Sequence, residues 1–259
     1  MSRSVIPADP RSPGQVFACL GLMEIAEVLF GDCRGGFDLP QATFTLEAAG
    51  EEPPVPAALD FVADAALTEG ACPREDDRNA RPVGLQHGVL RFEVGHWADE
   101  TGRNPFKLYS GNRSAFMIAG EMQRLVRTLT KGPRRNDLLR DPWNALVPMA
   151  GSFNFDPRGG WTATDTGFSP NRHSQAGGNV LASPTVEIFA AIGLEHARPS
   201  EPAKRKVVYS AWERALPLPL ARAALAGTFV AVPQHRFGFE LSLAGKNKVV
   251  TFADQEDSI

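Results

Sequence analysis

The sequence predicts an α+β fold: a ferredoxin-like (RRM-like) unit with insertions, followed by a smaller second α+β portion. Three observations carry that expectation. Periodic segments follow one another as strand, helix, strand, a break, strand, helix, strand. Two long stretches place apolar residues on one helical face. The 259 residues are 43% hydrophobic and 22% charged, which is enough apolar material for a sizeable core.

A short strand is expected over Ser4–Ala8, then a long helix in "PGQVFACLGLMEIAEVLFGD". There Val16, Phe17, Leu20, Met23, Ile25, Val28 and Leu29 recur near helical spacing, Glu24 and Glu27 are polar, and Gly31 supplies the stop. Gly35-Gly36 reads as a turn into "FDLPQATFTLEAAG", where Phe44, Leu46 and Ala48 alternate with Thr43, Thr45 and Glu47 as in a half-buried strand. A helix over Val55–Leu67 and an exposed acidic loop, "CPREDDRNARP", come next. "VGLQHGVLRFEVGHW" resumes a strand pattern with Leu90, Phe92 and Val94 on one face. The second long helix covers Arg113–Thr130, its apolar face formed by Phe116, Ile118, Met122, Leu125, Val126 and Leu129.

A short helix in "NDLLRDPWNALV" leads to a strand from Met149, on which Phe153 and Phe155 share the core face and Asn154 points away. After a long polar stretch come a helix over Pro184–Ile192, a strand in "KRKVVYSAWE" and a short helix at Leu220–Leu225. A C-terminal hairpin follows, turning at Ala244-Gly245 or Lys246-Asn247. The division expected is an N-terminal α+β domain over 1–148 and a C-terminal portion over 149–259.

No apolar run reads as the 18 to 20 or so residues of a membrane span, and "MSRSVIPADPRSPGQ" carries prolines and an aspartate where a signal peptide would be apolar, so a cytoplasmic location is expected. Cys19, Cys33 and Cys72 are odd in number and unpaired in spacing, and the five histidines lack metal-site spacing. No metal and no cofactor are expected. There is no G-x-S-x-G elbow and no phosphate loop, since "GDCRGG" lacks the lysine. Asp156 and Asp165 flank a glycine-rich turn, but Asp156 before Pro157 reads more simply as a turn-starting residue. The chain is therefore read as having no catalytic residues, with a small hydrolase or transferase built on Asp156 or Cys72 as a rival.

The net charge of −3 is unevenly spread: 7 basic against 17 acidic residues over 1–100, 9 against 2 over 103–140, and 11 against 11 over 141–259. A basic island on an acidic chain suits a polyanion, because phosphates respond to local potential. Lys107, Tyr109, Asn112 and Arg113 surround a Ser-Gly-Asn turn at the start of the second long helix, where backbone N–H groups and the helix dipole favour a phosphate. Arg124, Arg127, Lys131, Arg134 and Arg135 extend the charge to its far end, where ordinary helix capping explains the same residues. Arg158, Trp161, Asn171, Arg172 and Gln175 are types that stack on bases or reach base edges, set among glycines; a plain surface loop would look similar.

Three blocks, "PGQVFACLGLMEIAEVLFGD", "SFNFDPRGGWTATDTGFSPN" and "PTVEIFAAIGLEHARP", resemble in their order the short large-subunit family of type I-G (formerly I-U) CRISPR Cascade complexes, over about residues 13–199. The resemblance implies a non-catalytic subunit of an RNA-guided antiviral surveillance complex, seated near the 5′ end of the guide RNA. It implies contact with target double-stranded DNA near the protospacer-adjacent motif, with other Cascade subunits as partners and a separate helicase-nuclease recruited after target binding. A backbone or guide-processing subunit of the same apparatus is the nearer rival.

Overall fold

The computed structural model describes residues 1–71, 78–98, 106–109, 113–149, 151–159, 180–228, 231–244 and 246–256. Its first part runs β1 (Ser2–Pro7), α1 (Pro13–Phe30), β2 (Cys33–Asp38), β3 (Thr43–Ala48), α2 (Pro54–Asp64), β4 (Ala66–Glu69), β5 (Val83–His87), β6 (Leu90–Val94), α3 (Ala115–Lys131), α4 (Arg135–Arg140) and β7 (Val147–Met149). After the long polar stretch come β8 (Val180–Ala182), α5 (Pro184–Gly193), β9 (Ser200–Ala203), β10 (Lys206–Trp212), β11 (Leu216–Pro217), α6 (Leu218–Leu225), β12 (Gln234–Glu240), β13 (Ser242–Ala244), β14 (Asn247–Val249) and β15 (Asp254–Gln255). The fold is α+β: several small antiparallel sheets and six α-helices among the described residues.

The first sheet has the order β1-β3-β2-β11. Period-two alternation buries Phe44, Leu46 and Ala48 of β3 on its inner side, against which α1 and α2 pack. The outer side keeps Arg3, Val5 and Arg34 exposed. Of the four strands expected to share one sheet, β1 and β3 pair directly, β6 joins β4 and β5 in a three-stranded sheet, and β7 pairs with β8. A fourth sheet has the order β15-β12-β10-β9.

Gly35-Gly36 does not turn the chain. Both lie inside β2, for a steric reason. A Cβ at Gly35 would strike Phe44 and Met23, and one at Gly36 the Arg214 carbonyl, so these glycines mark close approach. The second helix also ends earlier than Leu67: Ala65 takes an extended conformation at its C-cap, and Leu67 and Thr68 enter β4 opposite β5. The strand expected from Met149 ends there. Phe153 and Phe155 are each 1% exposed, yet they lie on irregular chain. Asn154 has φ 68°, and its N–H donates to Ser152 Oγ, so a local side-chain turn replaces the ladder. At the C-terminal hairpin Ala244 pairs with Asn247, and Gly245 lies outside the described residues.

Helix α1 is long and apolar enough to cross a membrane, which corrects the expectation that no run reaches that length. It is a core helix here: residues from Val16 to Ala26 are almost wholly buried, and Gly31 ends it with φ 74°. Gly21 lies against the Phe189 carbonyl and Gly193, and Gly193 against the Phe17 carbonyl, so α1 and α5 cross at backbone contact. The two expected portions, 1–148 and 149–259, share that crossing.

Candidate nucleic-acid interface

Helix α3 carries the centre of the basic island. Ile118, Met122, Leu125, Val126 and Leu129 are buried, which leaves Arg124, Arg127 and Lys131 on the outer face. At its N-terminus Ser114 Oγ accepts the Met117 N–H at 3.2 Å.

Its far end is an ionic junction with α2. Lys131 Nζ donates to Asp60 at 3.0 Å and Asp64 at 2.9 Å, and Arg135 forks onto both Asp60 oxygens at 3.1 and 2.8 Å. Arg135 beside Asp60 holds that carboxyl below its ordinary value, with Lys131 adding to the effect. Arg127 Nε donates to the Ala63 carbonyl at 2.6 Å, Arg134 Nη1 to Leu146 O at 3.0 Å, and Arg124 forks onto Glu121. All five far-end cations thus have partners inside the chain. What they offer a phosphate is the exposed flank of each pair rather than a bare charge.

Near the start of α3 the residues divide differently. Tyr109 is buried, donates its hydroxyl to the Asn79 carbonyl at 3.2 Å and meets Trp97 and Phe153 edge to face. The Lys107 ammonium lies 5.6 Å from the Tyr109 ring centroid. Arg113 is exposed, and its guanidinium lies where a side chain on residue 151 would have to go, so Gly151 admits it. Tyr109 is thus a wall of the core, with the cation of Lys107 beside it and that of Arg113 over Gly151. Asn112 lies outside the described residues.

The glycine-rich region begins from a buried anchor. Asp156 is fully buried, and its carboxylate accepts from Arg158 Nε at 2.8 Å, Arg158 Nη2 at 2.9 Å and the Ser183 N–H at 2.8 Å. Arg158 also donates to the Trp143 carbonyl at 2.6 Å and to Asn144, so it sits in a socket, neither reaching out for a base nor lying in a plain surface loop. Beneath it, Glu187 of α5 accepts the Asp156 N–H at 2.8 Å. Burial, with the charge of Asp156 adding, pushes the Glu187 carboxyl up to about 8. Trp161, Asn171, Arg172 and Gln175 lie outside the described residues.

Sequence reasoning passed over Glu187 and over Glu24, whose carboxylate receives both arms of Arg222 at 2.7 and 2.6 Å. Glu187 is the lone acid of the apolar α5 and Glu24 one of two in α1, and that is the signal available in sequence. Among the described residues no group of three or more His, Cys, Asp or Glu side chains is placed to hold a metal ion. Comparison with family models, with curated proteins and with solved structures finds no match to this chain.

Proposed function

We propose that this chain is a non-catalytic large subunit of an RNA-guided CRISPR surveillance complex, binding the guide RNA 5′ end and target DNA near the protospacer-adjacent motif. One observation carries the reading. The described parts of the three blocks with the family resemblance interlock in one core: Gly14 of α1 abuts the Phe155 carbonyl and Val186 of α5, and Asp156 bonds to Ser183 and Glu187. Blocks far apart in sequence but joined in one core are the pattern a shared scaffold leaves.

The sheet order β1-β3-β2 with α1 and α2 on one side further supports a ferredoxin-like ancestry in which β4 has left to pair with β5. In this reading Lys107 and Arg113 hold backbone phosphates near the start of α3. The paired cations Arg124, Arg127, Lys131, Arg134 and Arg135 set the slope of the surrounding potential, and Trp161, Asn171, Arg172 and Gln175 supply contacts to bases. The chain works in the cytoplasm, and a helicase-nuclease supplies the chemistry.

The test is affinity purification with co-expressed partner subunits, sequencing of the bound nucleic acid and counting of copies per guide. One copy at the guide 5′ end is expected. Several copies along one guide would favour a backbone subunit, and nuclease activity of this chain alone that vanished with Asp156→Asn would overturn the non-catalytic assignment.

A further inference from the structure

The open side of the first sheet holds a groove of about 460 Å³, far from α3 in the chain. Its floor is Gly36, where the Arg214 carbonyl leaves no room for a Cβ. One wall is Arg3, whose Nη2 reaches Thr45 Oγ1 at 3.4 Å and whose Nε stands 3.9 Å from Glu47. The other wall is the Glu213–Ala215 turn, held up by Arg214 in a left-handed conformation at φ 63°. Leu39 and Pro40 form an apolar ledge at one end.

The charges in the groove are not equivalent. Glu213 is engaged by His235 at 2.9 Å, and Asp38 Oδ1 accepts the Gln41 N–H. Arg3 is 63% exposed, held among the described residues by only the 3.4 Å contact to Thr45 and the long one to Glu47, and among the same residues the Arg214 side chain has no hydrogen-bond or ion-pair partner. Two exposed arginines, Arg3 and Arg214, therefore line one groove over a glycine capped by the Arg214 main chain, with carboxylate acceptors and an apolar ledge beside them. That set matches a ligand with an anionic end and a flat ring bearing N–H donors.

We propose that the groove between Arg3 and Arg214 binds a nucleoside phosphate. The phosphate lies between the two guanidinium groups, the base lies on Leu39 and Pro40, and Glu47 accepts from the ring. The ligand is either a free nucleotide or the phosphorylated end of a strand, which share this chemistry. The inference rests on the groove alone, and its failure would leave the guide-RNA reading untouched, since that reading is measured in the assembled complex.

The experiment titrates the full chain with AMP, GMP, CMP and UMP, with a 5′-phosphorylated tetranucleotide, and with inorganic phosphate, following backbone amide shifts at Gly36 and Thr45. Saturable nucleotide binding that shifts those amides is expected. Arg214→Asn, which tolerates the left-handed backbone, and Arg3→Gln should each weaken it about tenfold or more with unchanged melting temperature. Tighter binding of the tetranucleotide identifies a strand end, and equal or tighter binding of one mononucleotide identifies the free ligand. The proposal is overturned if no nucleotide saturates by millimolar concentration. It is also overturned if inorganic phosphate binds as tightly as the nucleotides, or if both variants bind like wild type.

Discussion

Two ionic clusters in this molecule use the same residue types to opposite effect. At the α2–α3 junction Asp60 and Asp64 face Lys131 and Arg135 at the surface, where the side chains keep about a third to a half of their exposure. Beside α5, Asp156 faces the cation Arg158 while Glu187 accepts the Asp156 N–H beneath it, with no exposure of either acid. Water screens the first cluster and relaxes around any charge left over, so its pairs are worth little individually. The second has no such reserve: removing one partner strands a charge in a dry site. A salt bridge therefore marks different things in the two places, a fastening in one and an architectural commitment in the other.

The largest effect that can break this comparison is expected at the buried cluster. Arg158→Ala should cost about 3–5 kcal/mol, because Asp156 loses its cation while remaining buried. Chemical denaturation measures it, and a loss under 1 kcal/mol would mean that water reaches the site.

The next effect sharpens the comparison through pH. The Glu187 carboxyl titrates near 4.5 when unfolded and near 8 when folded, so the folded chain holds the extra proton between those values. The stability this represents is present below pH 4.5 and is lost as pH rises through 8. Glu187→Gln should abolish that loss, a few kcal/mol at about 1.4 kcal/mol per pKa unit. His96, whose ring burial holds its pKa down to about 3, tilts the other way: its contribution is present above pH 6.5 and lost as pH falls toward 3. Denaturation midpoints at pH 4, 6 and 8.5 for wild type and Glu187→Gln separate the two, and parallel curves would reject the buried-acid account.

At the surface cluster Asp60→Asn should cost about 1 kcal/mol or less, shrinking further in 1 M salt. A salt-independent loss of several kcal/mol would erase the distinction between the clusters. Smallest of all, Arg124→Gln removes one i,i+3 pair with Glu121 and should change stability by about 0.2–0.5 kcal/mol. A thermal melt that moved by more than a few degrees would show that Arg124 holds more than its own helix.

What was legible in the sequence follows from the range over which each cause acts. Helix α3 and strand β3 announce themselves through local periodicity, because one face of each meets the core, and α1 and α5 through largely apolar runs, because they are buried nearly all round. Gly35-Gly36 misled because the reason for two glycines is not a turn but Phe44 and Met23 against Gly35 and the Arg214 backbone, nearly 180 residues away, against Gly36. Phe153 and Phe155 were read correctly as buried and wrongly as a strand, since Asn154 and Ser152 satisfy the backbone locally. The far end of the basic island is the clearest case. Its charges are visible in the sequence, but the partners of Arg127, Lys131 and Arg135 include Asp60, Ala63 and Asp64, and Asp60 is 75 positions from Arg135. Local potential read along the chain cannot count carboxylates that arrive through folding.

The crossing of α1 and α5 also bears on how the protein comes into being. Gly21 and Gly193 must meet at backbone distance, so the finished α1 waits for the synthesis of about 160 further residues before its mate is complete. Loop closure over that span is slow relative to local helix formation, and an eighteen-residue apolar helix waits exposed in the meantime. The nascent chain is accordingly most vulnerable to aggregation between the emergence of Phe30 and that of Gly193. A chaperone that shields an apolar helix would act in that interval, on a surface the finished fold largely hides.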